Sequence, residues 1–269
     1  MPKSSPSTLV DSRWMERTER CRELRERFAS AAAILDFYAI VLEFQGRVAK
    51  RMTAVPASDQ SFRGQVASLV NWEDFQELLR ITAKTGPQLL ANRARQLQQM
   101  HEGDFRQIAG EFLSAEAPSY QGQDDFFLRA VMQPLAERLQ IQAVFKPEGM
   151  TNRCPICQSL PQFAILRPEG EGAARSLGCS FCLREWLFRR LVCPWCGEEN
   201  KEKLPRFSSE DSQYVYISGC DTCKRYLKVV DMTTEGRAVP LVDEVAASVL
   251  DVWAAQQGYS KVAPNLMGL

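Results

Sequence analysis

The chain is 269 residues long, 45% hydrophobic and 25% charged, the composition of a folded globular protein with room for two domains of ordinary size. Lysine plus arginine equals aspartate plus glutamate, 33 of each, and neither half has the basic excess of a nucleic-acid binder. The N-terminus lacks the basic-then-apolar order of a signal peptide, and the most apolar stretch, Phe28–Phe44, is interrupted by Asp36 and Glu43. A cytoplasmic chain with reduced thiols is expected, without membrane insertion.

Residues 1–12, rich in Ser and Pro, read as disordered, and 13–146 as a helical domain. Trp14, Cys21, Leu24 and Phe28 form the apolar stripe of a charged first helix. Ile34, Phe37, Val41, Phe44 and Val48 continue the period, in the same helix or a second. Asn71 is placed to cap a helix, and Gly86–Pro87 to break it. The next helix, 88–100, carries Leu89, Leu90, Ala94 and Leu97. Helices over 104–114 and 124–145 follow, with Asp124 and Asp125 in the first turn of the last and Pro134 kinking it. Lys146–Gly149 reads as a linker.

Beyond the linker cysteines appear, and short β-type runs replace the helical period: Phe163–Leu166, Tyr214–Ile217 and Tyr226–Val230. The acidic, glycine-containing 168–172 segment reads as a hairpin tip. The end of the chain, 238–269, returns to helix, with Leu241, Val245, Val249, Val252 and Trp253 in amphipathic order and Gly258 as its stop.

Four Cys-x-x-Cys turns use eight of the nine cysteines. Each such turn places two thiolates along one edge of a tetrahedron, and two turns complete it. The region is an internal repeat: CPICQSLPQF through LGCSFCLREW, then CPWCGEENKE through SGCDTCKRYL. In each copy Gly (Gly178, Gly219) precedes the second turn and Arg (Arg184, Arg225) stands two residues past the last cysteine. The repeat favours consecutive pairing over a crossed one: Cys154, Cys157, Cys179 and Cys182 in a first module over 150–190, and Cys193, Cys196, Cys220 and Cys223 in a second over 191–235. Four thiolates leave no open position for activating water, and they suit structural zinc or a rubredoxin-type iron equally. Arg184 and Arg225 either offset thiolate charge or simply solvate the surface.

Trp186, Phe188 and Trp195 flank the turns, to pack the two modules together or to meet a partner. The only histidine, His101, lies far from the cysteines and reads as solvated. Cys21 reads as a buried structural thiol. There is no nucleophile–base pattern, P-loop or dinucleotide fingerprint, so a non-enzymatic protein is expected.

The four turns in this order, with the ending Asp251-x-Trp253-Ala254, Gly258-Tyr259 and Pro264-Asn265-Leu266, and the helical stretch FFLRAVMQPLAERL, resemble the FdhE family of formate dehydrogenase accessory proteins. That resemblance covers most of the chain and implies an α+β fold: an all-helical N-terminal domain, two tandem rubredoxin-like or zinc-ribbon modules and a C-terminal helix. It implies a cytoplasmic assembly factor that meets the formate dehydrogenase catalytic subunit. It also implies iron at the eight cysteines, with zinc as the alternative. A rubredoxin-type electron carrier is the competing expectation.

Overall fold

The computed structural model describes residues 6–52, 60–114, 123–142, 151–210 and 212–269. Helix α1, Pro6–Arg27, begins inside the stretch expected to be disordered, so 6–12 are helical; residues 1–5 lie outside the described residues. Phe28 takes a non-helical conformation (φ −116°, ψ 82°) and a short 3-10 turn, Ala29–Ala31, follows, so α1 and α2 (Ala32–Arg51) are two helices. By length and composition Ala29–Arg51 could cross a membrane. Its Leu35, Tyr38, Val41, Leu42 and Phe44 are instead fully buried in the protein core, each worth about 1.5–3 kcal/mol of folding free energy. It is a core helix.

Helix α3, Phe62–Leu69, is absent from the sequence expectation: it is short and contains Gly64, but the Ser61 hydroxyl caps it by accepting from Gly64 N–H. Asn71 caps α4 (Trp72–Thr85) as expected, accepting from Asp74 N–H at 2.7 Å. Pro87 precedes α5 (Gln88–Leu97), whose inner face is Ala91, Ala94 and Leu97, while Leu89 is 70% exposed. Helix α6 spans Glu102–Ser114. Helix α7, Gln123–Gln142, continues on both sides of Pro134, and the expected linker at 146–149 lies outside the described residues.

The cysteine region forms one sheet, not two separate ribbons. The first copy supplies β1 (Pro161–Glu169), β2 (Gly172–Cys179) and β3 (Glu185–Phe188); the second supplies β4 (Arg206–Ser209), β5 (Ser212–Cys220) and β6 (Arg225–Asp231). The order is β3-β2-β1-β6-β5-β4, with β7 (Ser260–Lys261) also on β6. Each copy is an antiparallel meander, and the first strand of one joins the last strand of the other in parallel, Phe163 opposite Lys228. The repeat glycines admit aromatic rings onto the sheet: a Cβ at Gly178 would stand 2.3 Å from the Phe163 ring, and one at Gly219 would stand 3.2 Å from the Tyr259 ring.

The single C-terminal helix expected from the pattern is two, α8 (Pro240–Ala246) and α9 (Ser248–Gln256), broken at Ala247. The break turns Leu250, Asp251 and Ala254 inward and leaves Val249 and Val252 exposed. Lys228 on β6 braces the break: its ammonium donates to the carbonyls of Glu244 (2.5 Å) and Ala247 (3.4 Å). Gly258 (φ +77°) ends α9 as expected.

The helical and sheet regions share a large hydrophobic cluster, running from Trp14 to Leu266, and a second, smaller one packs Leu250 and Ala254 of α9 against Ile217 and Val230 of the sheet. Buried ion pairs cross the larger one. Arg17 on α1 holds Glu137 on α7 through two hydrogen bonds of 2.8 and 2.6 Å. Arg20 holds Asp243 on α8 at 3.0 and 2.7 Å, and Tyr214 on β5 donates to the same carboxylate.

Candidate metal centres

Each Cys-x-x-Cys turn folds the same way. The residue after its second cysteine has positive φ: Gln158 (60°), Leu183 (58°), Gly197 (78°) and Lys224 (54°). This reversal lets the backbone close behind the sulfurs, as in Gln158 N–H to Cys154 O (2.9 Å), Gly197 N–H to Cys193 O (3.0 Å) and Lys224 N–H to Cys220 O (2.8 Å). Only one of the four residues is the glycine that φ favours. Gly197→Ala is expected to lower unfolding free energy by about 1 kcal/mol, and Gln158→Gly to raise it by up to about 1 kcal/mol. Denaturant midpoints at fixed free metal check both.

The turns meet in the two consecutive groups that the repeat favours. In the first, the Sγ atoms of Cys154 and Cys182 lie 3.5 Å apart and those of Cys157 and Cys179 lie 3.3 Å apart. In the second, Cys193–Cys223 is 3.7 Å and Cys196–Cys220 is 3.6 Å. Thiolates at about 2.3 Å from one ion stand about 3.8 Å apart at the corners of a tetrahedron, so both donor sets fit a mononuclear all-sulfur site. Backbone N–H groups also point at sulfur: Phe181 to Cys179 (3.3 Å) and Trp195 to Cys193 (3.4 Å).

Charge is unevenly distributed over the thiols. Burial opposes ionisation of Cys157, yet hydrogen bonds from Cys154, Cys179, Cys182 and Ser159 bring it well below the ordinary thiol value. Burial, and then the bonds to Cys154 and Cys157, push Cys179 and Cys182 up. At the second group Cys196 is lowered, against its slight burial, by the Glu198 N–H and neighbouring thiols, while burial raises Cys193 and Cys223. A cation at the centre is what allows four neighbouring thiols to ionise together.

The two centres differ in surroundings. All four sulfur residues of the first are buried, whereas Cys196 of the second is exposed and Cys223 half-buried. The helices grip the first centre. Arg63 on α3 donates to Cys157 O (3.1 Å) and Ser159 Oγ (2.9 Å). Arg129 and Gln133, one turn apart on α7, donate to Ser180 O at 2.9 and 3.2 Å, and Arg129 also reaches Asn265 O (2.9 Å). Arg184 bonds Gln140 on α7 (3.3 Å), and Arg225 lies 3.9 Å over the Trp195 ring while donating to Lys261 O. Both arginines tie a centre to its neighbours. Trp186 donates to Thr151 O and Phe188 is buried, whereas Trp195 is 38% exposed.

A homologue from Aquifex aeolicus, named Protein FdhE homolog, is 30% identical over 264 residues, covering 91% of this chain and 92% of its own. The chain belongs to the FdhE family. The family model for the FdhE C-terminal domain matches residues 191–267, the second centre and the tail. The Pseudomonas aeruginosa FdhE homolog is 31% identical over 189 residues, 64% of this chain and 58% of its own. The crystal structure of the FdhE protein from Pseudomonas aeruginosa superposes with TM-score 0.72 over 96% of both chains at 22% identity, which speaks to the fold alone. The α+β arrangement of helices, two four-cysteine groups on a sheet, and C-terminal helices is therefore that of FdhE.

The ending that carries the FdhE resemblance closes the second half. Asp251 accepts from Tyr226 OH (2.7 Å) and from Lys228; Tyr259 donates to Asp221 (2.6 Å), inside the last cysteine turn; Asn265 donates to Glu244 (2.8 Å). Sequence reasoning missed Arg63, Arg129 and Lys228. Arg129 had a signal: it interrupts the apolar run Phe126–Met132, one turn before Gln133. His101 is exposed outside both centres. Cys21 is buried, its thiol pushed up to about 12 by burial and then by Asp243.

Proposed function

We propose that this chain is a non-catalytic accessory factor for formate dehydrogenase maturation, binding the catalytic subunit in the cytoplasm. The observation that carries the reading is the pair of four-cysteine groups in an FdhE-family chain. Each group would hold one iron ion, or zinc in its place, at Cys154, Cys157, Cys179 and Cys182 and at Cys193, Cys196, Cys220 and Cys223. Such an ion supplies folding energy and, if iron, a one-electron couple. With all four positions taken by protein sulfur, neither centre would bind substrate or water. The protein's own part is to hold a surface: Arg63, Arg129 and Gln133 fix the helices against the first centre. Anaerobic affinity purification, with metal content and co-purifying catalytic subunit measured together, is expected to return two metal ions per chain and the subunit. Two ions and no subunit under any metal state would refute the client reading.

A second reading, a rubredoxin-type electron carrier, is favoured by one observation: the exposure of Cys196, which brings a sulfur of the second centre to the surface. It requires a reversible iron couple. Two zinc ions and a colourless protein would end it.

A further inference from the structure

Between the two cysteine modules, on the sheet face opposite α8 and α9, lies a cavity of about 200 Å³. Its floor comes from β2, β5 and neighbouring strands, and its walls from the 190–192 connection and from 204–206. Three arginines line it, Arg175, Arg190 and Arg206, together with the hydroxyl-bearing Tyr216 and Ser218, and no carboxylate is among the lining residues.

Arg175 is the unusual member. It is 4% exposed and has no ion-pair partner among the described residues. Its Nη1 makes three hydrogen bonds, to the carbonyls of Arg189 (3.2 Å), Arg190 (3.2 Å) and Val192 (3.0 Å), which pin the connection entering the second centre. Nε and Nη2 take no protein acceptor among the described residues, and they are not among the chain's fully enclosed unpartnered polar atoms, so they keep access to solvent where Arg175 lines the cavity. Burial pushes Arg175 down to about 10, partly offset by Tyr216 and Cys193, and its guanidinium lies 5.8 Å from the Phe188 ring centroid. Arg206 lies 3.6 Å over the Tyr216 ring, and neither it nor Arg190 has a carboxylate partner among the described residues. Asp231 shares this sheet face, but its carboxylate accepts from Thr233 N–H (3.1 Å) and Thr233 Oγ1 (2.5 Å) and does not line the cavity.

A largely buried cation that no carboxylate pairs is costly, and a guanidinium fork with N–H groups open to a cavity matches the paired oxygens of an oxyanion. We propose that this cavity is a binding site for a phosphoryl group, held by Arg175, Arg190 and Arg206 with hydroxyl donors from Tyr216 and Ser218. The volume admits a phosphate-sized anion with some of its water, and the walls open to solvent beside two exposed arginines. The site accommodates either inorganic phosphate or the head of a phosphate monoester, and its occupant would brace the connection between the modules.

The test uses the metal-loaded full chain, titrated at constant ionic strength with inorganic phosphate, glycerol 3-phosphate, acetate or chloride, and followed by calorimetry and melting temperature. Saturable binding of phosphate, of the monoester or of both is expected, with acetate and chloride inert; which of the two binds more tightly names the source. The double variant Arg190→Gln/Arg206→Gln removes only exposed side chains. It is expected to melt as the parent does without phosphate and to bind phosphate at least tenfold more weakly. Arg175→Lys, which keeps the charge but loses the fork, should weaken binding as well. Phosphate effects no larger than those of chloride, equal binding of acetate, or undiminished binding by the double variant would each overturn the proposal.

Discussion

Cys154→Ser or Cys179→Ser is expected to leave one metal ion per chain in place of two and to abolish cooperative unfolding of the whole protein. The first centre is inside the common core: all four of its cysteines are buried, and they pack in the same cluster as Phe127 and Leu35 of the helices. Its backbone is also where the helices are attached, through Arg63 to Cys157 O and Arg129 to Ser180 O. A structural four-cysteine ion contributes about 10–16 kcal/mol of apparent binding free energy. That matches or exceeds the about 5–15 kcal/mol net stability of an ordinary domain. Losing it exposes three buried thiols and releases α3 and α7 together. Metal analysis and near-ultraviolet circular dichroism of the purified variant read both effects, and on the proposed function pull-down of a formate dehydrogenase catalytic subunit should fail in parallel. Cys196→Ser is the control. Its position is exposed and the second centre is partly open, so that variant should also lose one ion while keeping a cooperative, lower transition. Parental melting in Cys154→Ser would remove the structural role assigned to the first centre.

The elements legible in the sequence are those with a strong local signal. The Asn71 cap, the Gly86–Pro87 break and the stripe of α2 depend on residues within one or two turns, and each is found. The pairing of the eight cysteines was legible because the repeat carries it. What was not legible is non-local. The joining of the two copies into one sheet is a parallel pairing of β1 with β6 across more than sixty residues, and no turn encodes it. The split of the last helix is braced from a strand, by Lys228, and the local periodicity of Val245, Val249 and Val252 carries no sign of it. The helices α3 and α7 hold the first centre through Arg63, Arg129 and Gln133, long-range contacts that spacing cannot express.

Lys228 leads to the second large effect. Its ammonium is fully buried, 3.0 Å from Glu244 and paired with Asp251, while Lys261 pairs with the same Glu244 and lies 3.2 Å from Asp251. Two cations and two carboxylates thus neutralise one another where β6, α8, α9 and β7 meet. Removing one member leaves a buried charge uncompensated, at about 3–5 kcal/mol. Lys228→Met and Asp251→Asn are each expected to lose that much, with the second half of the chain loosening first. Replacing both ions together removes the uncompensated charge, so Lys228→Met/Asp251→Leu should cost clearly less than the sum of Lys228→Met and Asp251→Leu; additive losses in a urea double-mutant cycle would contradict the network. The pH dependence has a fixed sign. Burial alone would raise Asp251, but Lys261 and Lys228 more than offset it and hold the carboxyl below its ordinary 3.8. Its contribution is complete above that value and is lost as pH falls through the lower folded one. Burial alone would lower Lys228, but Glu244 and Asp251 raise it above its ordinary 10.5. Its contribution is complete below 10.5 and is lost only as pH rises through the higher folded value. The deficit of Asp251→Asn against the parent should therefore be constant across neutral pH and shrink in strong acid. A deficit that varied across neutral pH would mean that a group outside this network titrates with it.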